Sequence, residues 1–296
     1  MTVLVTGAGG QLANELVRTA PKGVDLVALS ERELDITDPD AVERTVLRLR
    51  PEAIVNAAAY TAVDKAESDV DAAFLVNRDG ARSLAESAHR HGAWLVHIST
   101  DFVFDGTSGT PYLPESMPHP VSVYGASKLA GDMAVRHACP SAAIIRTAWV
   151  YASEGKNFVH TMLRLMRERG SVRVVADQVG SPTNARGLAA CCWRVIERKA
   201  TGLFHWTDAG VASWYDFAMA IAELGMATGA LSRPATVEPI RTADYPTPAR
   251  RPAYSVLDKT STWQVLGLAG EHWREPLRRT LEEIAKDLCH GECVHG

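Results

Sequence analysis

Tyr124 and Lys128 stand four residues apart in the segment Tyr124-Gly125-Ala126-Ser127-Lys128, a spacing that stacks a phenol and an ammonium on one helix face. A free tyrosine ionises near ~10. A cation beside it favours the phenolate and is expected to lower that value, making the phenol a usable proton donor near neutrality. Upstream, Ser99-Thr100-Asp101 closes an apolar run; a hydroxyl at Thr100 would hydrogen-bond the carbonyl oxygen that Tyr124 protonates. Earlier still, Thr6-Gly7-Ala8-Gly9-Gly10-Gln11-Leu12-Ala13 follows the first apolar run. Glycines at such a turn let the backbone approach a pyrophosphate, which then rests on the N–H groups of a helix N-terminus. The spacing is Gly7-x-x-Gly10-x-x-Ala13 rather than G-x-G-x-x-G, with alanine small enough at the third place for close helix–strand packing.

Such a loop implies a nicotinamide dinucleotide, and the residues after the second apolar run bear on which one. Leu29 is followed by Ser30, Glu31 and Arg32. Ser30 and Arg32 suit a 2′-phosphate, whereas Glu31 suits a ribose hydroxyl, so NADPH is favoured and NADH stays open.

The elements that must position these groups alternate. Thr2–Thr6, Asp25–Leu29, Ala53–Asn56, Trp94–Ser99 and Ala142–Arg146 are short, continuously apolar runs, as strands covered on both faces should be. Helical patterns at Gln11–Thr19, Pro39–Leu49, Val70–His91 and Tyr124–His137 separate them, and Asp38 before Pro39 is a helix-start signal. The alternation predicts an α/β fold, a Rossmann-type doubly wound parallel sheet over residues 1–150. From 151 to 296 the rhythm loosens into a smaller C-terminal substrate-binding lobe. It is read as a helix at Asn157–Arg169, a strand at Val172–Ala176, a helix at Ala185–Arg198, a strand at Leu203–His205 and a helix at Trp214–Leu224. A Pro-rich stretch at Tyr245–Pro252 and a last helix at Glu275–Leu288 complete it. Segments near 185–205 are expected to return to the main sheet, and the cleft between the lobes is the expected binding site.

Composition excludes other classes. The chain has 296 residues, 46% hydrophobic and 22% charged, with a formal net charge of -4. No basic run offers a nucleic-acid surface. Thr2 to Thr6 lack a charged leader and a small-residue cleavage site, so no signal peptide is expected, and no stretch approaches the ~18 apolar residues of a membrane span. Of the five cysteines, Cys191 and Cys192 are adjacent, Cys139 is isolated, and Cys289 and Cys293 lie near the end. No disulfide framework emerges, and a reducing cytoplasm is the expected compartment. Cys289, His290, Cys293 and His295 crowd the last eight residues, but no second ligand pair stands elsewhere at zinc-site spacing, so they read as an ordinary terminus.

The longer words narrow the class. VNAAAYTAVDKAES (55–68), HISTDFVFDG (97–106), VYGASKLAG (123–131), RTAWVY (146–151), GKNFVHTM (155–162), DQVGSPT (177–183) and YPTPARRPAYSVLD (245–258) resemble the dTDP-4-dehydrorhamnose reductase family and its antibiotic-sugar relatives among the extended short-chain dehydrogenases. The resemblance covers residues 1 to about 288. It implies NAD(P)H-dependent reduction of a 4-keto group on a nucleotide-linked deoxysugar. It makes Thr100, Tyr124 and Lys128 the catalytic set, with Lys128 also gripping the nicotinamide ribose. Gly7, Gly10, Gln11 and Leu12 match the pyrophosphate loop, Asp35 and Ile36 the adenine end, and Ala57, Ala58 and Tyr60 the next cofactor edge. Val63, Asp101, Phe102, Trp149 and Asn157 are assigned to the sugar pocket. Phe102 departs from the tyrosine common in the family, which removes one hydroxyl near the sugar. A substrate pyrophosphate needs fixed cations; Arg251 is the expected one, with Lys156 or Arg250 as substitutes. Some members hold magnesium through glutamates at a dimer contact. Glu15 and Glu283 match two of those ligands, but Arg186 takes the third place, so an intact metal site is not expected. A homodimer is an assembly that the resemblance allows.

Two other readings share the fold. A sugar-nucleotide dehydratase or epimerase would hold NAD tightly, but dehydratases carry an Asp-Glu pair after the threonine, and here Thr100 precedes Asp101 and Phe102. A non-catalytic regulatory relative, such as the one that attends methionine adenosyltransferase, would not need the Tyr124/Lys128 pair.

Overall fold

The computed structural model describes residues 1–293, with side chains through Leu288; the side chains of the Cys/His-rich tail lie outside the described residues. Six parallel strands form the main sheet: β1 (Thr2–Thr6), β2 (Asp25–Leu29), β3 (Ala53–Asn56), β4 (Trp94–Thr100), β5 (Ala143–Thr147) and a last strand, Gly202–His205. Across the sheet they run Gly202–His205, β5, β4, β3, β1, β2. The chain leaves β1 in one direction to β2 and returns on the other side at β3. That reversal opens a crevice at the carboxyl ends of β1 and β3, where open α/β sheets bind ligands.

Continuous apolar runs form these strands because both faces are covered. Side chains alternate between faces. Val3, Val5, Val55, Val96 and Ile145 enter one core with the helices Gln11–Arg18 and Ala185–Arg198. Leu4, Ile54, Leu95 and Ile144 enter another with Pro39–Leu49 and Ala81–His91. Asp38 caps its helix as the sequence predicts, its Oδ1 accepting from the Asp40 and Ala41 amides at 3.0 Å.

The predicted helix Val70–His91 is interrupted. It runs as Val70–Phe74, a π-helical stretch Leu75–Gly80, and Ala81–His91. A π-turn inserts one residue without disturbing the apolar rhythm on either side, so periodicity does not reveal it. Its effect is to aim buried Asn77 at two neighbours: its Nδ2 donates to the Tyr60 carbonyl at 3.1 Å and to Ser127 Oγ at 3.0 Å.

A third core gathers Tyr151, Met162, Leu163, Phe217, Ile221, Trp273, Leu277 and Leu281, drawn largely from helices Phe158–Arg169, Trp214–Thr228 and Arg274–Cys293. Beside it a two-stranded parallel ribbon pairs Ser171–Val175 with Thr236–Ile240. The latter strand escapes the sequence reading because Pro239 argues against a strand interior, yet a two-stranded ribbon has an outer edge where proline is tolerated. The seven-residue helix Thr260–Leu266 is likewise too short to announce itself. Among the described residues no helix is long and apolar enough to cross a membrane.

Candidate active site

The glycine loop is built for close approach. Gly7 sits at φ +79, a left-handed conformation that L side chains rarely adopt, and a Cβ there would lie 2.8 Å from the Ala58 nitrogen. Glycine therefore lets the ends of β1 and β3 close on each other. The Ala8 amide is tied to the Leu29 carbonyl at 3.0 Å, drawing the end of β2 to the same crevice. Gly10 caps Gln11–Arg18 with no side-chain hydrogen bond and no acid in the first turn, leaving N–H groups for an anion. Leu12 is in the core, 8% exposed, so only its backbone can serve a ligand. Ala58 and Tyr60 line the β3 edge; the Tyr60 amide donates to Asn77 Oδ1 at 2.9 Å. Ile36 is buried, and Asp35 Oδ1 accepts from the Thr37 amide and hydroxyl.

Thr100 ends β4, and its hydroxyl donates to Asp101 Oδ1 at 3.0 Å while accepting from the Phe102 amide at 3.2 Å. Tyr124 and Lys128 lie on the helix Val123–Ala138, started by Ser122, whose hydroxyl accepts from the Gly125 amide. The expectation that Lys128 lowers the Tyr124 phenol is not met. Burial pushes that phenol up to about 12; the Thr100 hydroxyl opposes the rise, and the charges of Asp101 and Asp132 add to it. The reason is geometric: the Lys128 ammonium donates to the Ile98 carbonyl at 2.7 Å, and burial brings its own value down to about 8. A phenol near 12 is fully protonated at neutral pH, as a proton donor must be.

An aromatic wall faces this corner from the third core. Trp149 holds φ +51, a left-handed conformation uncommon for a bulky residue and costly enough to need support from its surroundings. Its ring stacks on Trp214 with centroids 3.5 Å apart and planes 7° from parallel. A Cβ on Gly180 would lie 2.7 Å from the Trp149 ring and 2.9 Å from Ser255 Oγ, so glycine lets the ring and Ser255 close in. The Ser255 hydroxyl in turn eases the charge of Asp101. Trp214, Ser255 and Asn77 were not singled out in the sequence; of the three, only Ser255 falls within one of the quoted words, YPTPARRPAYSVLD.

Three predicted residues have other partners. The Arg251 guanidinium is engaged by Asp64, Nη1 to Oδ1 at 3.0 Å and Nη2 to Oδ2 at 2.8 Å, rather than presented as an open fork for a pyrophosphate; Asp64 follows Val63 on the short helix Val63–Ala66. Asn157 caps Phe158–Arg169 through the His160 amide, and its Nδ2 donates to Gln11 Oε1 and the Ala152 carbonyl at 2.9 Å each. It thus joins the start of the helix Phe158–Arg169 to the glycine loop. Ser30 donates its hydroxyl to Glu33 Oε2 at 2.6 Å, leaving exposed Arg32 as the cation on that rim.

The carboxylates matching a magnesium site do not fit a metal. Arg186 Nε donates to Glu15 Oε2 at 3.1 Å and its Nη1 lies 2.9 Å from Glu283 Oε1, while Arg18 takes the other Glu15 oxygen at 3.0 Å. A guanidinium between the carboxylates already supplies the positive charge and would repel a second cation.

A parallel doubly wound sheet with a glycine loop at its switch point defines a Rossmann-type nucleotide-binding fold. The family model described as RmlD substrate binding domain matches residues 1–286, and the chain belongs to that family. It is similar to a dTDP-4-dehydrorhamnose reductase of Burkholderia thailandensis, 44% identical over 288 residues covering 93% of this chain and 96% of that relative. A Streptomyces antibioticus protein described as a probable dTDP-4,6-dihydroxy-2-methyloxan-3-one 4-ketoreductase is 43% identical over 290 residues, 96% of each chain. The solved dTDP-4-dehydrorhamnose reductase of Bacillus anthracis, in complex with NADP, matches with a TM-score of 0.91 at 37% identity, over 95% of this chain and 99% of that one.

Proposed function

We propose that the protein reduces the 4-keto group of a dTDP-linked 4-keto-6-deoxyhexose with NADPH, NADH being an accepted substitute. The observation that carries this reading is the meeting of Thr100 and Tyr124 at the carboxyl end of β4, where the Thr100 hydroxyl eases the Tyr124 phenolate, on a sheet whose switch point holds the Gly7 loop. The bound dinucleotide supplies a hydride. The backbone from Gly7 to Leu12 would hold its pyrophosphate, Arg32 its 2′-phosphate and Lys128 its ribose. Tyr124 delivers a proton to the keto oxygen while the single hydroxyl proton of Thr100, turning from Asp101 to the substrate, donates a hydrogen bond to it, neutralising charge where it develops. Asp101, Phe102 and Trp149 border the sugar. The family membership and the names of the relatives support the substrate class.

The test is NADPH oxidation by the purified protein against a panel of dTDP-4-keto-6-deoxysugars, with the product identified by NMR. Turnover of at least one, with net reduction at C4, is expected. No oxidation with any of them, or epimerisation without net consumption of NADPH, overturns the proposal.

A further inference from the structure

Beneath the helix Val123–Ala138 a row of buried polar side chains crosses the sheet. Thr6 Oγ1 donates to Asn56 Oδ1 at 2.8 Å, and Asn56 Nδ2 lies 3.1 Å from His97 Nδ1. These three are register partners on β1, β3 and β4. His97 Nε2 lies 3.9 Å from Asp132 Oδ1, and Arg146, on β5, donates from Nε to Asp132 Oδ2 at 3.2 Å. Every member is 4% exposed or less. Asp132 enters this row from the same helix that carries Tyr124 and Lys128, and the three follow one another at four-residue intervals down one face. The helix is pressed tightly onto its neighbours: a Cβ on Gly131 would lie 2.1 Å from the Asn77 carbonyl oxygen.

The charges around Lys128 sort themselves by element. On its own helix stand Tyr124, which is neutral, and Asp132. On β4 stands His97, which burial, followed by the Lys128 charge, holds well below the usual imidazole range, hence neutral. Since Asn56 Oδ1 accepts from Thr6, its Nδ2 donates to His97 Nδ1, which leaves the imidazole proton on Nε2, facing Asp132. On β5 stands Arg146, whose charge is the chief opponent of the burial that pushes the Asp132 carboxyl up. Lys128 is itself 2% exposed, and a buried ammonium needs a counter-charge. Asp132 is the carboxylate acting on it, opposing the effect of burial.

We propose that Asp132, clamped between Arg146 and His97, is the positioning residue of the site: it holds the Lys128 ammonium in its charged form one helical turn below Tyr124. The charge relation rests on the placement of two buried groups, each 2% exposed, one turn apart on the helix Val123–Ala138; only its consequence for turnover rests on the reductase reading above. Arg146 opposes the protonation that burial favours at Asp132, Asp132 opposes the loss of charge that burial favours at Lys128, and Lys128 keeps its place at the Ile98 carbonyl.

The test titrates Lys128 directly by NMR in cofactor-free protein carrying isotope-labelled lysine, its signal assigned by loss in Lys128→Arg. In Asp132→Asn, Lys128 should titrate about one pH unit lower, a tenfold change in the ammonium-to-amine ratio, and Asp132→Glu should restore it. A folded Asp132→Asn whose Lys128 titrates as in wild type overturns the proposal. Should Asp132→Asn not fold, labelled aspartate in the wild type decides: Asp132, assigned with Asp132→Glu, must be ionised at pH 7, and a protonated carboxyl there overturns it. In the reductase assay the alkaline limb of kcat/KM should move down in step with Lys128, and a limb that stays put removes the catalytic consequence. Absence of any keto-sugar turnover would end the reductase reading while leaving the titration to decide this one.

Discussion

The ring of Phe102 meets that of Tyr124 edge to face, with centroids 5.4 Å apart and planes at 76°. Such a contact fixes the plane of the phenol without occupying its hydroxyl. The Phe102 amide is tied to Thr100 Oγ1, so the single turn that ends β4 orients both groups aimed at the substrate oxygen. Phenylalanine at this place also leaves the rim of the proposed sugar site one hydroxyl poorer than a tyrosine would.

Replacing Tyr124 by phenylalanine keeps the packed ring and removes the proton. General acid catalysis contributes about 10²–10⁴-fold, so kcat should fall by that order in steady-state reductase assays. Dissociation constants for NADPH and keto-sugar should change little, because the lost interaction strengthens in the transition state. Thr100→Val should cost less, since it removes a hydrogen bond and no proton. An unimpaired Phe variant would return Tyr124 to the status of an ordinary helix residue.

Asp101 gives a prediction about stability. Burial raises its carboxyl from 3.8 to about 6, so the folded chain retains a proton that the unfolded chain releases. Its contribution is complete below about pH 4 and is lost as pH rises through 6, amounting to roughly 3 kcal/mol at most. Asp101→Asn lacks this titration. Its Tm relative to wild type should therefore improve between pH 4.5 and pH 7.5; a constant difference in calorimetry across that interval would contradict the buried, raised carboxyl.

Arg251 and Asp64 make a prediction of their own. If the pair is a latch joining the Pro-rich segment to Val63–Ala66, Arg251→Ala and Asp64→Ala should raise KM for the sugar nucleotide alike. The double variant should then add little, with a coupling of about 0.5–1 kcal/mol for a partly exposed pair. A direct phosphate contact by Arg251 predicts a different pattern: KM rising in Arg251→Ala and unchanged or lower in Asp64→Ala. Cofactor affinity should be unaffected by either.

Cofactor choice rests on the rim after β2. With Ser30 held by Glu33, Arg32 is the residue left to discriminate. NADPH should be used at least as well as NADH, and Arg32→Ala should shift the ratio of kcat/KM values toward NADH. A wild-type preference for NADH above tenfold, worth ~1.4 kcal/mol, would rule this out.

The sheet was legible because burial on both faces leaves a plain trace: Val3 to Val5 and Ile144 to Ile145 can be nothing but covered strand. The Tyr124/Lys128 helix was legible because its spacing is local. What escaped depends on partners distant in sequence. Nothing in VNRD signals a π-turn, since the turn is stabilised by Asn77 reaching Tyr60 and Ser127. Arg251 looked like an open cation because its partner lies 187 residues away. The Tyr124 phenol was misjudged because spacing shows which side chains share a face, but not that burial will push the phenol up.

The return of Gly202–His205 to the sheet edge, preceded by Ala185–Arg198 on its face, has a consequence for biosynthesis. Leu188, Ala189, Cys191, Cys192, Val195 and Ile196 on that helix belong to the core that Val3, Val5 and Val55 begin. When the first 150 residues have left the ribosome, one face of the sheet is covered only in part, by Gln11–Arg18, and β5 is an open edge. The nascent amino-terminal portion must wait, aggregation-prone, for some fifty more residues before its sheet can close. A fragment cut at residue 150 should therefore be recovered as insoluble material rather than as a free-standing nucleotide-binding domain.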